Sequence, residues 1–353
     1  MTHDVVIIGG GLSGLRLAAR LAAQGVDFQL LEGRDRLGGR IESATAGNSH
    51  YDLGPTWFWP GQPRIAALID QLGLTFFEQF ADGILTYEDE HGQVQRGRGF
   101  ASMAGSLRVQ GGMGALVDAL ALTLPQDRIA LSQRVTHLTR GADMIDVKCQ
   151  SGASLSARKV VLALPPRLAS TFTYAPALSP DAVRAMQDVP SWMAGQAKAV
   201  AVYNKPFWRD AGLSGDGMSR RGPLVEIHDA SPAAGGPYAM FGFIGTPPNA
   251  REDVARLQEA IRAQLGRLFG PEAAAPTQLF LKDWAFDALT SMPLDLQPLY
   301  THPRYGRPAV LQGLWDGRLL FAGTEVAPEF GGYLEGALEA ADDVFAMLVP
   351  ERV

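Results

Sequence analysis

The chain has 353 residues, which sets a prior of about two domains, and its 31 Lys and Arg against 37 Asp and Glu give a formal charge of −6. That balance excludes the broad basic footprint of a nucleic-acid binder, and 46% hydrophobic against 19% charged residues excludes a disordered chain. A single cysteine, Cys149, excludes a disulfide framework, a cysteine-based metal cluster and chemistry that needs a CxxC pair. No apolar run approaches the ~18 residues of a membrane span. The N-terminal run MTHDVVIIGGG enters a strand with no basic leader region, so a cytoplasmic protein without a membrane span is expected.

The first unit is a βαβ. Val5-Val6-Ile7-Ile8 is a continuous apolar run, as a strand buried on both faces requires. A glycine cluster follows, then Leu15 to Gln24 with leucine and alanine at helical spacing, Gly25 as C-cap, and a second strand from Phe28 to Glu32. Beyond a mixed stretch, helices are expected over Ile65–Leu72 and Met113–Leu124, with a charged hairpin over Leu85–Arg96. His137–Arg140, Asp143–Gln150 and Ser154–Ala157 read as a meander, and Lys159–Leu164 as a separate buried strand stopped by Pro165-Pro166. Ala197–Tyr203, Leu224–Ala230 and Tyr238–Gly245 suggest an antiparallel sheet, followed by an amphipathic helix over Arg251–Phe269 and a strand over Gln278–Trp284. Leu319–Phe321 and a helix from about Gly332 to Leu348 end the chain.

Gly9-Gly10-Gly11-Leu12-Ser13-Gly14 fits GxGxxG between a strand and a helix, and Glu32 ends the next strand 18 residues after Gly14. In that context the pattern is a dinucleotide fingerprint. Gly9 makes the turn, Gly11 admits a pyrophosphate to the backbone, and Gly14 lets helix and strand approach. The helix N-terminus attracts phosphate charge, and Glu32 accepts from ribose hydroxyls. Arg34 to Arg40 adds a further glycine pair and three arginines directly after that acid, which suits a flavin dinucleotide better than a nicotinamide one. No second GxGxxG is present, so electrons are expected from the substrate rather than from a separate NADPH site.

Here the chain resembles the flavin-dependent amine oxidases, the family of monoamine and polyamine oxidases. The likeness runs through ordered motifs: Gly9–Gly14, Glu32 with Arg34–Arg40, Asp52-Leu53-Gly54, Gly111-Gly112, Arg134-Val135 and Ala163-Leu164-Pro165-Pro166. It continues through Lys198, Tyr203–Trp208, Trp284, Phe321–Glu325 and Gly332–Ala337. The resemblance implies an α/β fold: a Rossmann-type FAD-binding domain from 1–65, 105–168 and 285–353, with an inserted α+β substrate domain of mixed antiparallel sheet and helices from 66–104 and 169–284.

It also implies contacts. Gly11, Ser13, Arg34 and Glu325 would surround the pyrophosphate, Glu32 the ribose, and the Val135 backbone the adenine. Arg40, Gly54, Pro55 and Thr56 would line the flavin, with the Leu334 amide on its pyrimidine carbonyl. Gly9, Leu12, Gly14, Gly39, Trp284, Gly323 and Gly332 complete the expected cofactor site. Lys198, in a strand apolar on both faces, would act near the reacting flavin atom, and Tyr333 would form one aromatic wall for the substrate.

Two departures stand out. Where some members tether flavin to a cysteine, this chain has Thr290-Ser291-Met292-Pro293, so noncovalent FAD is expected and Cys149 is read as an inert buried thiol. Only 56 residues separate Gly54 from Gly111, which implies a pocket more open than in larger relatives. Burial of its apolar rim in a homodimer would be the remedy. No aromatic residue stands near Met292–Leu294 for the second wall; Trp57 and Trp59 are the candidates to replace it, while Phe207 and Trp208 read as core. The six histidines show no metal-ligand spacing, and no metal is expected. The function implied is oxidation of a small-molecule amine by hydride transfer to flavin, giving an imine, with reoxidation by O2 or another acceptor. A flavin-dependent C–C desaturase resembling protoporphyrinogen oxidase, or a flavin-binding redox module without amine turnover, stays open as an alternative.

Overall fold

The computed structural model describes residues 2–297, 299 and 301–350. Its first sheet has eight strands. The parallel part runs Ile129–Ala130, Phe28–Leu31, Thr2–Ile8, Ser154–Leu162 and Leu319–Phe321. Thr2–Ile8 is central, and its Val5, Val6, Ile7 and Ile8 are all buried. Helices Leu12–Ala23, Met113–Leu122 and Leu334–Leu348 cover one face, with Leu15, Leu21, Leu116, Leu120, Leu338 and Val344 in one core cluster. The other face carries a second cluster in which Leu138, Ile145, Val147, Ala182 and Met186 pack under the sheet.

Ser154–Leu162 is one strand, where two were expected. Arg158 interrupts the apolar pattern because it is exposed, but the ladder to Thr2–Ile8 runs through it without a break in register. The N-terminal half also pairs antiparallel with Ile145–Cys149, and the C-terminal half parallel with Leu319–Phe321. Thr173–Ala175 pairs parallel with Val135–Arg140, and helix Pro180–Asp188 joins the second cluster. Residues 173–188 therefore pack in the first layer, beyond the expected boundary at 168. Helix Pro63–Gln71, which straddles the boundary at 65, likewise packs there through Ile65, Leu68 and Ile69.

The second sheet has seven strands, in the order Gln278–Asp283, Ala197–Tyr203, Tyr238–Ile244, Leu224–Asp229, Leu213–Ser219, Ile84–Glu88 and Val94–Arg96. Strand Leu213–Ser219 was not expected from the sequence. Its Gly215 and Gly217 weaken the strand pattern, yet packing favours both: Gly215 has φ +83° and a Cβ on it would meet Trp208 at 2.9 Å, while one on Gly217 would meet Phe269 at a tight 3.2 Å. Helix Val254–Phe269 covers one face of this sheet. The opposite face, with Val200, Val202 and Phe241, turns toward Tyr51, Leu53 and Trp57. Tyr51 belongs to a hairpin, Ser43–Ala46 with Ser49–Asp52, that the sequence pattern also left unread. Among the described residues no helix is long and apolar enough to cross a membrane.

Candidate active site

Between the two sheets lies one continuous cavity of about 850 Å³, toward the upper end of the usual range for ligand sites. It runs from Glu32 and Val135 to Lys198 and Tyr333, and every expected site residue lines it except Gly14 and Glu325. Gly14 lies behind the turn: a Cβ there would sit 1.9 Å from the Gly9 carbonyl oxygen. Gly9 takes φ +115°, and a Cβ there would sit 2.4 Å from the Ala163 carbonyl oxygen. Gly11 differs, because an added Cβ would meet no protein atom nearer than 3.9 Å. Packing within the chain does not require glycine at 11, and the space over it opens on the cavity.

The two helices that open on the cavity, Leu12–Ala23 behind Gly11 and Leu334–Leu348 behind Tyr333, begin without a side-chain cap. Their first amides are thus free to meet phosphate or carbonyl oxygen. Arg40 donates to Glu325 Oε1 at 2.6 Å, while the buried Glu325 Oε2 has no hydrogen-bond partner among the described residues. Both helix ends, the open space over Gly11 and this unpartnered oxygen fit a bound dinucleotide.

Three expected contacts are differently engaged. The Ser13 hydroxyl donates to the Ala322 carbonyl and so ties the first helix to the last strand. Arg34 turns to Asp287 at 2.6 Å and Thr290 Oγ1 at 2.9 Å; a partner for the guanidinium lies in the chain itself, in the segment where a flavin tether was sought. Glu32 is buried and accepts from the Gly10 amide at 2.7 Å and the Arg34 amide at 2.8 Å. Cys149 is buried on strand Ile145–Cys149, off the cavity, where desolvation pushes its thiol pKa up.

Lys198 is 3% exposed. Its Nζ donates to the Gly54 carbonyl at 3.0 Å and Thr56 Oγ1 at 2.5 Å, and lies 4.1 Å from the centroid of Phe241. No carboxylate touches it. Burial dominates and drives the ammonium pKa down to about 7, against a smaller opposing pull from Asp52. Asp52 itself, raised by burial, accepts from Ser43 and from the Met113 amide.

Tyr333 is held on two sides. His302 stacks on its ring at 4.7 Å and 10°, and Trp59 meets it edge-on at 6.3 Å. Trp192 and Met193, the latter at φ +62°, line the cavity nearby. Trp57 also lines the cavity, packed against Phe241 with Nε1 donating to Gln79 at 2.8 Å. Trp208 is fully buried. Sequence reasoning missed Trp192, His302 and a trio joined by hydrogen bonds, the buried Asp216 and His228 with the half-buried Glu226. The Glu-Ile-His alternation over 226–228 was the available signal, since positions two apart share a strand face. Among the described residues no group of three or more His, Cys, Asp or Glu is arranged to hold a metal.

A glycine turn between strand and helix, an acid closing the next strand and a long cavity ending at a buried lysine fit a dinucleotide-dependent oxidoreductase. Comparison with known proteins narrows the class. The model of the flavin containing amine oxidoreductases matches residues 80–344, and that of an NAD(P)-binding Rossmann-like domain matches residues 7–72. The chain belongs to the flavin-containing amine oxidoreductase family and is an FAD-dependent amine oxidoreductase. It is 24% identical to a probable flavin-containing monoamine oxidase A of Dictyostelium discoideum, over 96% of this chain and 95% of that one. It is 23% identical to the putrescine oxidase of Kocuria rosea, over 95% and 93%. The first of these alignments spans 447 positions, more than this chain contains, so the relative carries insertions absent here. In fold it is similar to a putrescine oxidase bound to putrescine (TM-score 0.83, 20% identity, 99% of this chain and 100% of that one). It is equally similar to the cyclohexylamine oxidase of Brevibacterium oxydans IH-35A (TM-score 0.83, 20% identity, 98% of each chain).

Proposed function

We propose that the protein oxidises a small-molecule amine at the carbon beside nitrogen, with FAD held noncovalently. Lys198 carries this reading: a buried lysine in a cavity wall, held by Gly54 and Thr56 with no carboxylate partner among the described residues, is an expensive arrangement for structure alone. When bound, the flavin supplies the two-electron oxidant that takes hydride from the substrate. Gly9–Gly14, Glu32, Arg40, Val135 and Trp284 hold it, and the uncapped amides at Leu334 stabilise negative charge on its ring. Lys198 presents a proton donor to the reacting region, and its pKa of about 7 lets it give up and regain that proton near neutrality. Tyr333, fixed by His302 and Trp59, offers an aromatic face to a neutral or cationic amine.

Anaerobic mixing with a panel of amines and amino acids tests the reaction. Bleaching of the flavin absorbance by at least one amine is the expected result, and silence across the panel overturns it. Acid precipitation tests the linkage: all yellow colour should pass to the supernatant as FAD, since Thr290–Pro293 offers no cysteine and Cys149 lies buried elsewhere.

A further inference from the structure

Two acids line the cavity, Glu32 at the adenosine end and Glu226 at the other. The position of Glu226 follows from strand register. Lys198 pairs with Phe243 across one strand boundary, and Phe243 pairs with Glu226 across the next. Directly paired residues project to the same side of a sheet, so the three form a row on the face that floors the cavity. Two strand spacings, about 10 Å, separate the lysine backbone from that of the acid.

This carboxylate is held in place. The Ser102 hydroxyl donates to Glu226 Oε1 at 2.5 Å, and His228 Nε2 lies 3.0 Å from the same oxygen. No donor among the described residues reaches Oε2. The other nitrogen of His228 lies 2.7 Å from Asp216 Oδ1, and its ring is packed at 5.4 Å from both Trp57 and Phe241. An imidazole set between two carboxylates donates to both as imidazolium. Burial alone would lower the His228 pKa, but the bonds from Asp216 and Glu226 outweigh it and raise it. The bond from His228 in turn holds the Glu226 carboxyl below its ordinary range. Two anions and one cation leave a net negative charge in the wall, and Lys198, committed to Gly54 and Thr56, does not neutralise it. An anion with one open oxygen, in a cavity wall partly shut off from water, favours a cation from the ligand.

We propose that Glu226 binds a second cationic group of the substrate, with Asp216 and His228 as its positioning pair, so that the enzyme selects amines carrying two positive charges across a short apolar spacer that packs on Phe243. The proposal rests on the amine-oxidising reading above. The test compares α,ω-diaminoalkanes of three to six carbons with n-alkylamines of equal length on the FAD-loaded enzyme. Wild type should prefer the diamine in kcat/KM, and Glu226→Gln, neutral and of the same shape, should cut that preference at least tenfold, chiefly through KM. His228→Gln should raise KM for the diamine while kcat holds. Equal losses for both amines in Glu226→Gln, or an unchanged preference, overturn the proposal. Binding is read without turnover from the rise in Tm given by a bis(trimethylammonium)alkane, which has no nitrogen lone pair to drive oxidation. Wild type should gain more from this dication than from a singly charged alkyltrimethylammonium, and Glu226→Gln should lose the difference. If no amine reduces the flavin yet the dication preference persists, the amine-oxidising reading fails and the Glu226 site stands. If amines are turned over without any charge preference, the Glu226 site fails and the amine-oxidising reading stands.

Discussion

The two ends of the cavity are built by opposite means. At the adenosine end the backbone shapes the cavity: Gly9, Gly11 and Gly14 form one turn, a helix N-terminus faces it, and Glu32 closes the adjoining strand. Those residues lie close in sequence, and their spacing is set by one βαβ unit. At the substrate end side chains do the work, and they come from separate segments. Thr56, Ser102, Lys198, Glu226, Phe243 and Tyr333 meet only because strands lie side by side and a helix begins opposite them. Two lysines in the same register sharpen the contrast, since Lys198 pairs with Lys282 across one strand boundary. Lys282 is ion-paired to Glu42 at 2.8 Å and Asp287 at 3.2 Å with part of its side chain in water. Lys198, one strand nearer the cavity, is 3% exposed, and among the described residues no carboxylate pairs with it. A folded protein keeps the second arrangement only where something other than stability requires it.

Gly14→Val should have the largest effect. Its Cβ would sit 1.9 Å from a backbone oxygen that cannot move without opening the turn, so a loss of at least about 3 kcal/mol is expected. Thermal unfolding and the flavin content of purified protein measure it; a variant with normal Tm and full FAD would show that the turn is not rigid.

Lys198→Met keeps the stem and removes the donor. Flavin reduction or reoxidation should slow by more than tenfold, about 1.4 kcal/mol of barrier, with FAD still bound; stopped-flow rates at wild-type values in both half-reactions would leave Lys198 a structural residue. A second signature is in stability. Unfolded, the lysine holds its proton to about pH 10.5, and folded, to about 7. Between those values the unfolded chain binds more protons, so wild type should gain stability relative to Lys198→Met as pH rises through that window. Denaturant midpoints of the two proteins at pH 7 and pH 10 check the sign.

Lys282→Met should do least. Its partly solvated pairs contribute about 0.5–1 kcal/mol, so a small fall in Tm that shrinks at high salt is expected, with flavin kinetics within twofold of wild type. An effect as large as that of Lys198→Met would erase the distinction between the two lysines.

The same contrast explains what the sequence could disclose. The dinucleotide turn was legible because each glycine there answers a local steric demand and the hydrophobic pattern on either side is regular. Lys198 was legible as a charge inside an apolar strand, although its partners, Gly54 and Thr56, lie 144 and 142 residues away. Glu226 and His228 were not, because one residue facing the cavity and its neighbour two positions on look like any polar alternation until Asp216 and Ser102 are brought beside them. The strand Leu213–Ser219 was hidden by glycines whose reason lies in Trp208 and Phe269. Arg34 was placed at the pyrophosphate by the family resemblance, and only the tertiary fold shows Asp287 and Thr290 within its reach.

The long strand Ser154–Leu162 is flanked by the chain's first strand and its last, and Ser13 reaches across to Ala322. Protein synthesis delivers these pieces in order, at roughly 5–20 residues per second. The glycine turn is thus made early but stays without its closing helix until the segment from Leu319 to Leu348 has left the ribosome. A chain lacking that segment would leave Leu15 and Leu21 without the cover of Leu338, Ala341 and Val344, an unclosed apolar layer beside the glycine turn.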